Sequence, residues 1–209
     1  MNDNRRYDWT DRAHSERPEY AIIERWIPPR SRVIDLGCGN GSLLRLLKER
    51  KDVAEFGIEL APSGVELCRQ QALRVRQGSI DVDLTDLAAD EFDYAVCNVT
   101  LQMVMNPEVT LREMRRIARF QIVSFPNFAF YWNRLELLAL GRMPRRLLFG
   151  YDWYDTGHIH QLSIRDFTGT IRKLALQPRD AAYLGHTGPL SRLWPNLLAS
   201  EAVFLLERA

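Results

Sequence analysis

The ten residues Val33-Ile34-Asp35-Leu36-Gly37-Cys38-Gly39-Asn40-Gly41-Ser42 constrain the fold of this chain more than any other stretch. A β-branched run ends in a carboxylate and enters three alternating glycines. It then passes straight into Leu43-Leu44-Arg45-Leu46-Leu47, an amphipathic stretch. Strand, tight glycine turn and helix in that order build a nucleotide-type pocket at the carboxyl end of a parallel sheet. Glycine suits the turn because it lets a ligand approach the backbone without a Cβ in the way.

The spacing selects among ligands. A dinucleotide fingerprint places glycines at positions one, three and six, and the sixth position here is Ser42. Dinucleotides also present a pyrophosphate to the helix N-terminus, where N–H groups and the helix dipole favour anions. Alternating glycines with Asp35 two residues before the first fit S-adenosylmethionine better, which offers an ammonium, a carboxylate and a sulfonium. Asp35 then faces the ammonium, and Gly37, Cys38, Gly39 and Gly41 line the rest, with Cys38 read as a small residue that fits. A dinucleotide site and a plain tight turn are the competing readings. Glu59 favours the first: Phe56-Gly57-Ile58-Glu59-Leu60 reads as a second strand ending in an acid 22 residues after Gly37. In dinucleotide folds an acid about 20 residues on accepts from the ribose hydroxyls. Leu60 beside it joins the expected contact set.

The 209 residues, 46% hydrophobic and 26% charged, describe one globular domain with an ordinary core. A formal net charge of +1 supplies no footprint for nucleic acid or an anionic membrane. No apolar run approaches the ~20 residues of a membrane span, and no signal-peptide core is evident. Cys38, Cys68 and Cys97 are odd in number and lack metal-ligand spacing, which points to a reducing cytoplasm and no metal site.

Residues 1–12 are polar and are expected to be loosely held. A helix over 19–26 stops at Pro28-Pro29. Strands are predicted at 32–36, 54–59, 74–77, 92–97 and 120–125, with helices starting near Gly41, Pro62 and Pro107. This alternation implies a parallel sheet with helices on both faces. Residues 126–162 are aromatic-rich and break the rhythm, as a lid or insertion over the sheet would. Ser163-Ile164-Arg165-Asp166 reads as a capping box opening a helix to about Leu176. Two last strands, near 180–184 and 202–207, have no helical period between them and suit an antiparallel end. The predicted class is therefore α/β, a Rossmann-like methyltransferase fold with a mostly parallel seven-stranded sheet and an antiparallel terminal strand.

Methyl transfer from a sulfonium chiefly requires alignment of donor and acceptor, and a base only where the acceptor carries a proton. No fixed catalytic motif is evident. Asn98 at the open end of the fourth strand is either a contact to the methionyl part or plain loop. The run from Tyr151 to His160 is either an acceptor pocket, with Tyr154, Asp155, His158 and His160 as proton handlers, or a packed lid whose polar groups are merely satisfied. On a strand His158 and His160 would share a face, but a metal would need a third ligand. Trp132 to Leu140 reads as an amphipathic helix, more often core than partner surface.

The chain resembles the MetW family of bacterial methionine biosynthesis over roughly residues 17–185. The resemblance rests on Arg17-Pro18, Trp26-Ile27-Pro28-Pro29, the glycine turn, Thr100-Leu101-Gln102 and Ile122-Val123-Ser124-Phe125-Pro126-Asn127-Phe128. Gly141-Arg142-Met143-Pro144, Trp153-Tyr154-Asp155-Thr156, Ile159-His160 and Ile164-Arg165-Asp166-Phe167 extend it. It implies S-adenosylmethionine as ligand (S-adenosylhomocysteine as product if the protein is an enzyme) and homoserine O-acyltransferase as a partner that it modulates. Where the family places Gly-Asp against the adenine amino group, this chain has Gly78-Ser79-Ile80-Asp81. Ser79 and Ile80 are then the adenine contacts, without the usual carboxylate. Two functions are expected to compete: a partner protein of methionine synthesis, and a small-molecule methyltransferase of unnamed acceptor.

Overall fold

The computed structural model describes residues 9, 17–82, 84–145, 153, 156–185 and 188–209. Seven strands run β1 Arg32–Leu36, β2 Ala54–Glu59, β3 Val75–Gln77, β4 Phe92–Asn98, β5 Ala118–Pro126, β6 Leu176–Leu184 and β7 Glu201–Arg208. They form one sheet in the order β3-β2-β1-β4-β5-β7-β6. The first five pair in parallel, and β7 lies antiparallel between β5 and β6. The expected architecture is the observed one, with strand limits moved by a few residues.

The helices are α1 Pro18–Trp26, α2 Ser42–Lys51, α3 Pro62–Gln70, α4 Pro107–Ile117, α5 Tyr131–Leu140, α6 Ile164–Lys173 and the single turn α7 Pro195–Leu198. Proline opens α1, α3, α4 and α7, where its missing N–H has no intrahelical partner to lose. The capping box of α6 is formed: Asp166 N donates to Ser163 Oγ at 3.1 Å and Ser163 N donates to Asp166 Oδ2 at 3.2 Å. This helix ends three residues before the expected Leu176, because Ala175 takes φ 51° and Leu176 already pairs with Arg208 in the sheet. The sixth strand is longer than anticipated. Pro178 is accommodated at an irregularity between Pro178 and Asp180.

Successive side chains of a strand point to opposite faces, and the two cores follow that parity. Ile34, Leu36, Val123 and Phe125 pack with Met114 and Ile117 of α4 and Phe167 and Ile171 of α6. Val33, Val96, Ile122 and Val203 pack on the other face with Tyr20 and Ile23 of α1 and Leu44 and Leu47 of α2. The same parity carries Asp35, Asn98, Ser124 and Glu201 to the α1 face, one step beyond those core residues.

The region after β5 is pinned by one buried amide. Asn127 Nδ2 donates to the carbonyls of Asn196 and Ala199 at 3.2 and 2.8 Å, and its Oδ1 accepts from Ala129 N at 3.2 Å and Ile164 N at 3.4 Å. The reading of Trp132–Leu140 as core does not hold. Of α5 only Asn133 is buried, while Leu135, Leu137, Leu140 and above all Leu138, 85% exposed, face outward. The helix is held by its first turn, through Asn133 to Phe128 O and Arg134 to Ala129 O, so its leucines have nothing described to pack against. No helix among the described residues is long and apolar enough to cross a membrane.

Candidate functional site

Strand order reverses between β1 and β4, and ligands of open α/β sheets bind outside the carboxyl ends at such a point. The glycine turn sits there. Gly37, Gly39 and Gly41 have φ of 82°, 57° and 75°, in the left-handed region that side chains disfavour. A Cβ on Gly37 would lie 2.5 Å from Thr100 Cγ2, and one on Gly39 2.7 Å from the Trp9 ring. Gly37 N and Cys38 N both donate to Ile58 O, at 2.8 and 3.2 Å.

Glu59 does more than sequence reasoning assigned to it. Its Oε2 accepts from Gly39 N and its Oε1 from Ala61 N, both at 2.8 Å. One carboxylate therefore fixes the turn after β1 and the entry to α3 together, and each oxygen keeps a lone pair for a ligand. Burial pushes its carboxyl up, against the opposing pull of the Ala61, Gly39 and Leu60 backbone N–H groups.

Asp35 is 2% exposed, and its Oδ1 has no hydrogen-bond partner. Burial first, then the charge of Glu59, pushes its carboxyl up to about 7, with Arg17 opposing. A sealed carboxylate oxygen without a donor is the group that an incoming ammonium would satisfy. Asn40 disfavours the alternative ligand. Its Oδ1 accepts from Ser42 N at 3.2 Å and Ser42 Oγ at 2.6 Å, so a side-chain oxygen already stands at the helix N-terminus where a phosphate would sit.

The cleft in front of the turn encloses about 510 Å³ of space between its walls, open solvent included. Gly37, Glu59, Leu60, Ser79 and Ile80 line it, together with Trp9, Ile58, Gly78, Asp81, Thr100, Met103 and Val104. Cys38 points away. Its thiol lies 3.9 Å from that of Cys68, where the Cys68 hydrogen bond and burial push it up, in keeping with a small packed residue. Asp81 lines the cleft with one carboxylate oxygen already engaged. Its carboxylate accepts from Met105 N and, at 3.4 Å, from Asn106 N, tying down the entry to α4. Ser79 Oγ accepts from Asp81 N at 3.1 Å and keeps its proton free for a ligand acceptor.

Trp9 is the one residue of the first sixteen that the structure describes. Its backbone N–H donates to Ser63 Oγ at 3.2 Å, and its ring lies over Gly39 and forms one wall of the cleft. An aromatic residue amid a polar tail was the available signal.

Beyond the cleft the sequence candidates scatter. Asn98 Nδ2 donates to Glu19 Oε1 at 3.3 Å and its Oδ1 accepts from Ser124 Oγ at 2.6 Å. Val99 takes φ 49°, costly for a β-branched residue, and is held there by Ser124 Oγ accepting from its N–H at 2.9 Å. His158 and His160 share no strand and lie with Gln102, Phe128 and Leu162 around a separate hollow. Burial pushes the His158 imidazole down. Among the described residues no cluster of three metal-ligating side chains occurs. Tyr154 and Asp155 lie outside the described residues.

The strand order, the turn and the acid-bearing second strand together define a Rossmann-like protein of the S-adenosylmethionine-dependent methyltransferase fold. A chain from the complex of the Haloferax volcanii Trm112 methyltransferase activator with a putative methyltransferase superposes at TM-score 0.67 with 16% identity, covering 91% of this chain and 89% of its own. A Thermotoga maritima methyltransferase, described as a possible histamine N-methyltransferase, gives 0.65 with 18% identity over 91% and 87%. Within that fold the chain belongs to the family described as methionine biosynthesis protein MetW, whose model matches residues 17–206. It is 36% identical over 165 residues to the bifunctional methionine biosynthesis protein MetXA/MetW of Rhodopirellula baltica, a match covering 75% of this chain. The chain spans 26% of that relative's length, and 38% of a second curated relative.

Proposed function

We propose that this chain binds S-adenosylmethionine in the cleft at the glycine turn and acts in cytoplasmic methionine biosynthesis as a partner that modulates homoserine O-acyltransferase. The observation that carries the cofactor reading is the pairing of a glycine cradle, rigidly pinned by Glu59, with the donorless Asp35 Oδ1 beside it. Asp35 would take the cofactor's ammonium, Glu59 the ribose hydroxyls, and Leu60, Ser79 and Ile80 the adenine. Gly37, Cys38, Gly39 and Gly41 would contribute backbone, and Asn98 borders the methionyl end. The cofactor when bound supplies an activated methyl on a sulfonium.

The partner role is supported by the bifunctional MetXA/MetW relative and by the outward leucines of α5, the kind of apolar surface that partners cover. Methyl transfer is the second reading, favoured by a cleft that is partly open to solvent. Among the described residues no His, Cys or Lys side chain lines the cleft, so an acceptor would have to arrive in its nucleophilic form or lose its proton to a carboxylate.

Calorimetric titration of S-adenosylhomocysteine tests the cofactor reading. Glu59→Ala removes the acceptor for two buried N–H groups as well as the ribose contact, and is expected to weaken binding by about 100-fold, roughly 2.8 kcal/mol. Unchanged affinity in that variant would refute the assignment. Co-elution with the acyltransferase and a change in its acylation rate test the partner role, and absence of both would remove it.

A further inference from the structure

Trp9 stands outside the residues 17–206 that the family model matches, yet among the described residues it is the one aromatic side chain lining the cleft. Its seat is built from two elements. A Cβ on Gly39 would lie 2.7 Å from Cζ2 and Cη2 of the indole, and one on Gly64 would lie 3.1 Å from its Cδ1. Gly64 belongs to α3, where glycine is a poor helix former. A Cβ there would also meet Gly39 O at 2.7 Å and Glu59 Cγ at 2.9 Å, so the turn, the acid and the ring close on one another at this point. The hydrogen bond from Trp9 N to Ser63 Oγ fixes the backbone at the same turn of α3.

The ring therefore borders the acid that the cofactor reading gives to the ribose. Burial pushes the Glu59 carboxyl up, and after the backbone N–H groups of Ala61, Gly39 and Leu60 the Trp9 side chain pulls it back. What the ring adds to the cleft is a chemistry the other walls lack. A sulfonium is a fully alkylated cation with no proton to donate, so it cannot be held by hydrogen bonds. The face of an aromatic ring attracts such a cation, as aromatic cages hold quaternary ammonium groups, and Trp does so best. In S-adenosylmethionine one methylene joins the sulfur to the ribose. The aromatic ring beside the ribose acid is thus also the one nearest the sulfur.

From this seat we infer that Trp9 is the residue by which the cleft distinguishes a methylated, cationic sulfur from a neutral thioether, and so favours S-adenosylmethionine over S-adenosylhomocysteine. The inference rests on the cofactor reading of the cleft and deepens it. The backbone of the glycine turn offers the same contacts to both molecules, which differ only in the methyl and the charge it brings. Asp35 is assigned to the ammonium that both share. The indole responds to the difference, and its seat on Gly39 and Gly64 holds it in place before a ligand arrives, which limits the ordering cost of binding. A chain that favours the methyl donor over its demethylated form is suited to respond to the supply of that donor, in keeping with the modulating role proposed above.

The test is calorimetric titration of both molecules into the full chain and into two variants. S-adenosylmethionine is expected to bind the unsubstituted chain at least about fivefold more tightly than S-adenosylhomocysteine. Trp9→Leu is expected to bring the two within about twofold, and Trp9→Phe to keep part of the preference. Leucine retains apolar contact for the methyl and leaves Glu59 and Asp81 in place, so a preference owed to methyl burial or to those carboxylates would survive the change. Equal affinities in the unsubstituted chain, tighter S-adenosylhomocysteine, or an unchanged ratio in Trp9→Leu would overturn the inference while leaving the cofactor reading intact. If Trp9→Leu binds neither molecule, Trp9→Phe decides: a ratio lowered by at least about twofold supports the inference, and an unchanged one overturns it. If the unsubstituted chain binds neither, the cofactor reading falls and the inference with it.

Discussion

The two halves of the sheet's carboxyl edge are built to opposite rules. On the β1–β2 side the polar atoms of the turn are spoken for: Ile58 O takes two N–H groups, and Glu59 takes Gly39 N and Ala61 N. On the β4–β7 side Glu201 lacks a donor, Val99 is held in a strained conformation, and α5 turns its leucines outward. The turn in the first half is fixed before any ligand arrives, as preorganised binding sites are, with Asp35 Oδ1 beside it left without a donor. The second is a set of unmet demands for charge and apolar cover. A cofactor can be read from the first because its geometry is already finished, whereas the second defines its occupants by what it lacks.

Gly39→Arg attacks the finished half most directly. The position combines φ 57° with a ring 2.7 Å from any Cβ, so S-adenosylhomocysteine affinity should fall by at least about 100-fold with the far-ultraviolet spectrum retained. Retained affinity would show that the turn is not a cradle.

The carboxyl edge predicts a pH dependence of intermediate size. Asp35 and Glu201 have folded pKa values raised to about 7 and about 8, above those of the unfolded chain. Between about pH 4 and 8 the unfolded state has therefore released protons that the folded state still holds, so stability falls as pH rises through that window. Denaturant midpoints at pH 5, 7 and 9 should descend, and the descent should flatten in Asp35→Asn and in Glu201→Gln. Identical slopes in all three proteins would show that these acids are satisfied by donors after all.

The smallest effect on folding is expected at α5. Leu138→Arg replaces a side chain that is 85% exposed, and unfolding free energy should move by less than about 0.5 kcal/mol. Co-elution with the acyltransferase should nonetheless weaken. A large loss of stability would mean that α5 is buried in the molecule rather than offered to a partner.

Local chemistry explains which parts were legible in the chain. β1 and β2 were read to the residue, because a short apolar stretch ending in an acid between turn signals has few alternatives. Pro62, Pro107 and the Ser163 capping box marked helix starts that the structure keeps. The contacts of Asp35 and Glu59 with ligand were inferred from spacing and remain the proposal that the cleft supports. Where the reading failed, a distant element intervened. Pro178 sits in a strand because β7 tolerates an irregularity there. Trp9, which the sequence reading did not place at the cleft, is held there by Ser63, 54 residues away, accepting its N–H.

Periodicity and turn chemistry in the bare chain were enough to dictate a parallel sheet with a glycine-cradled cleft, since both act over a few residues. Only packing in three dimensions could gather Glu19, Asp35 and Glu201, separated along the chain by as many as 182 residues, onto one edge of one face. Whether a buried carboxylate finds a donor depends on strand order and parity, which bring together residues that no local pattern connects.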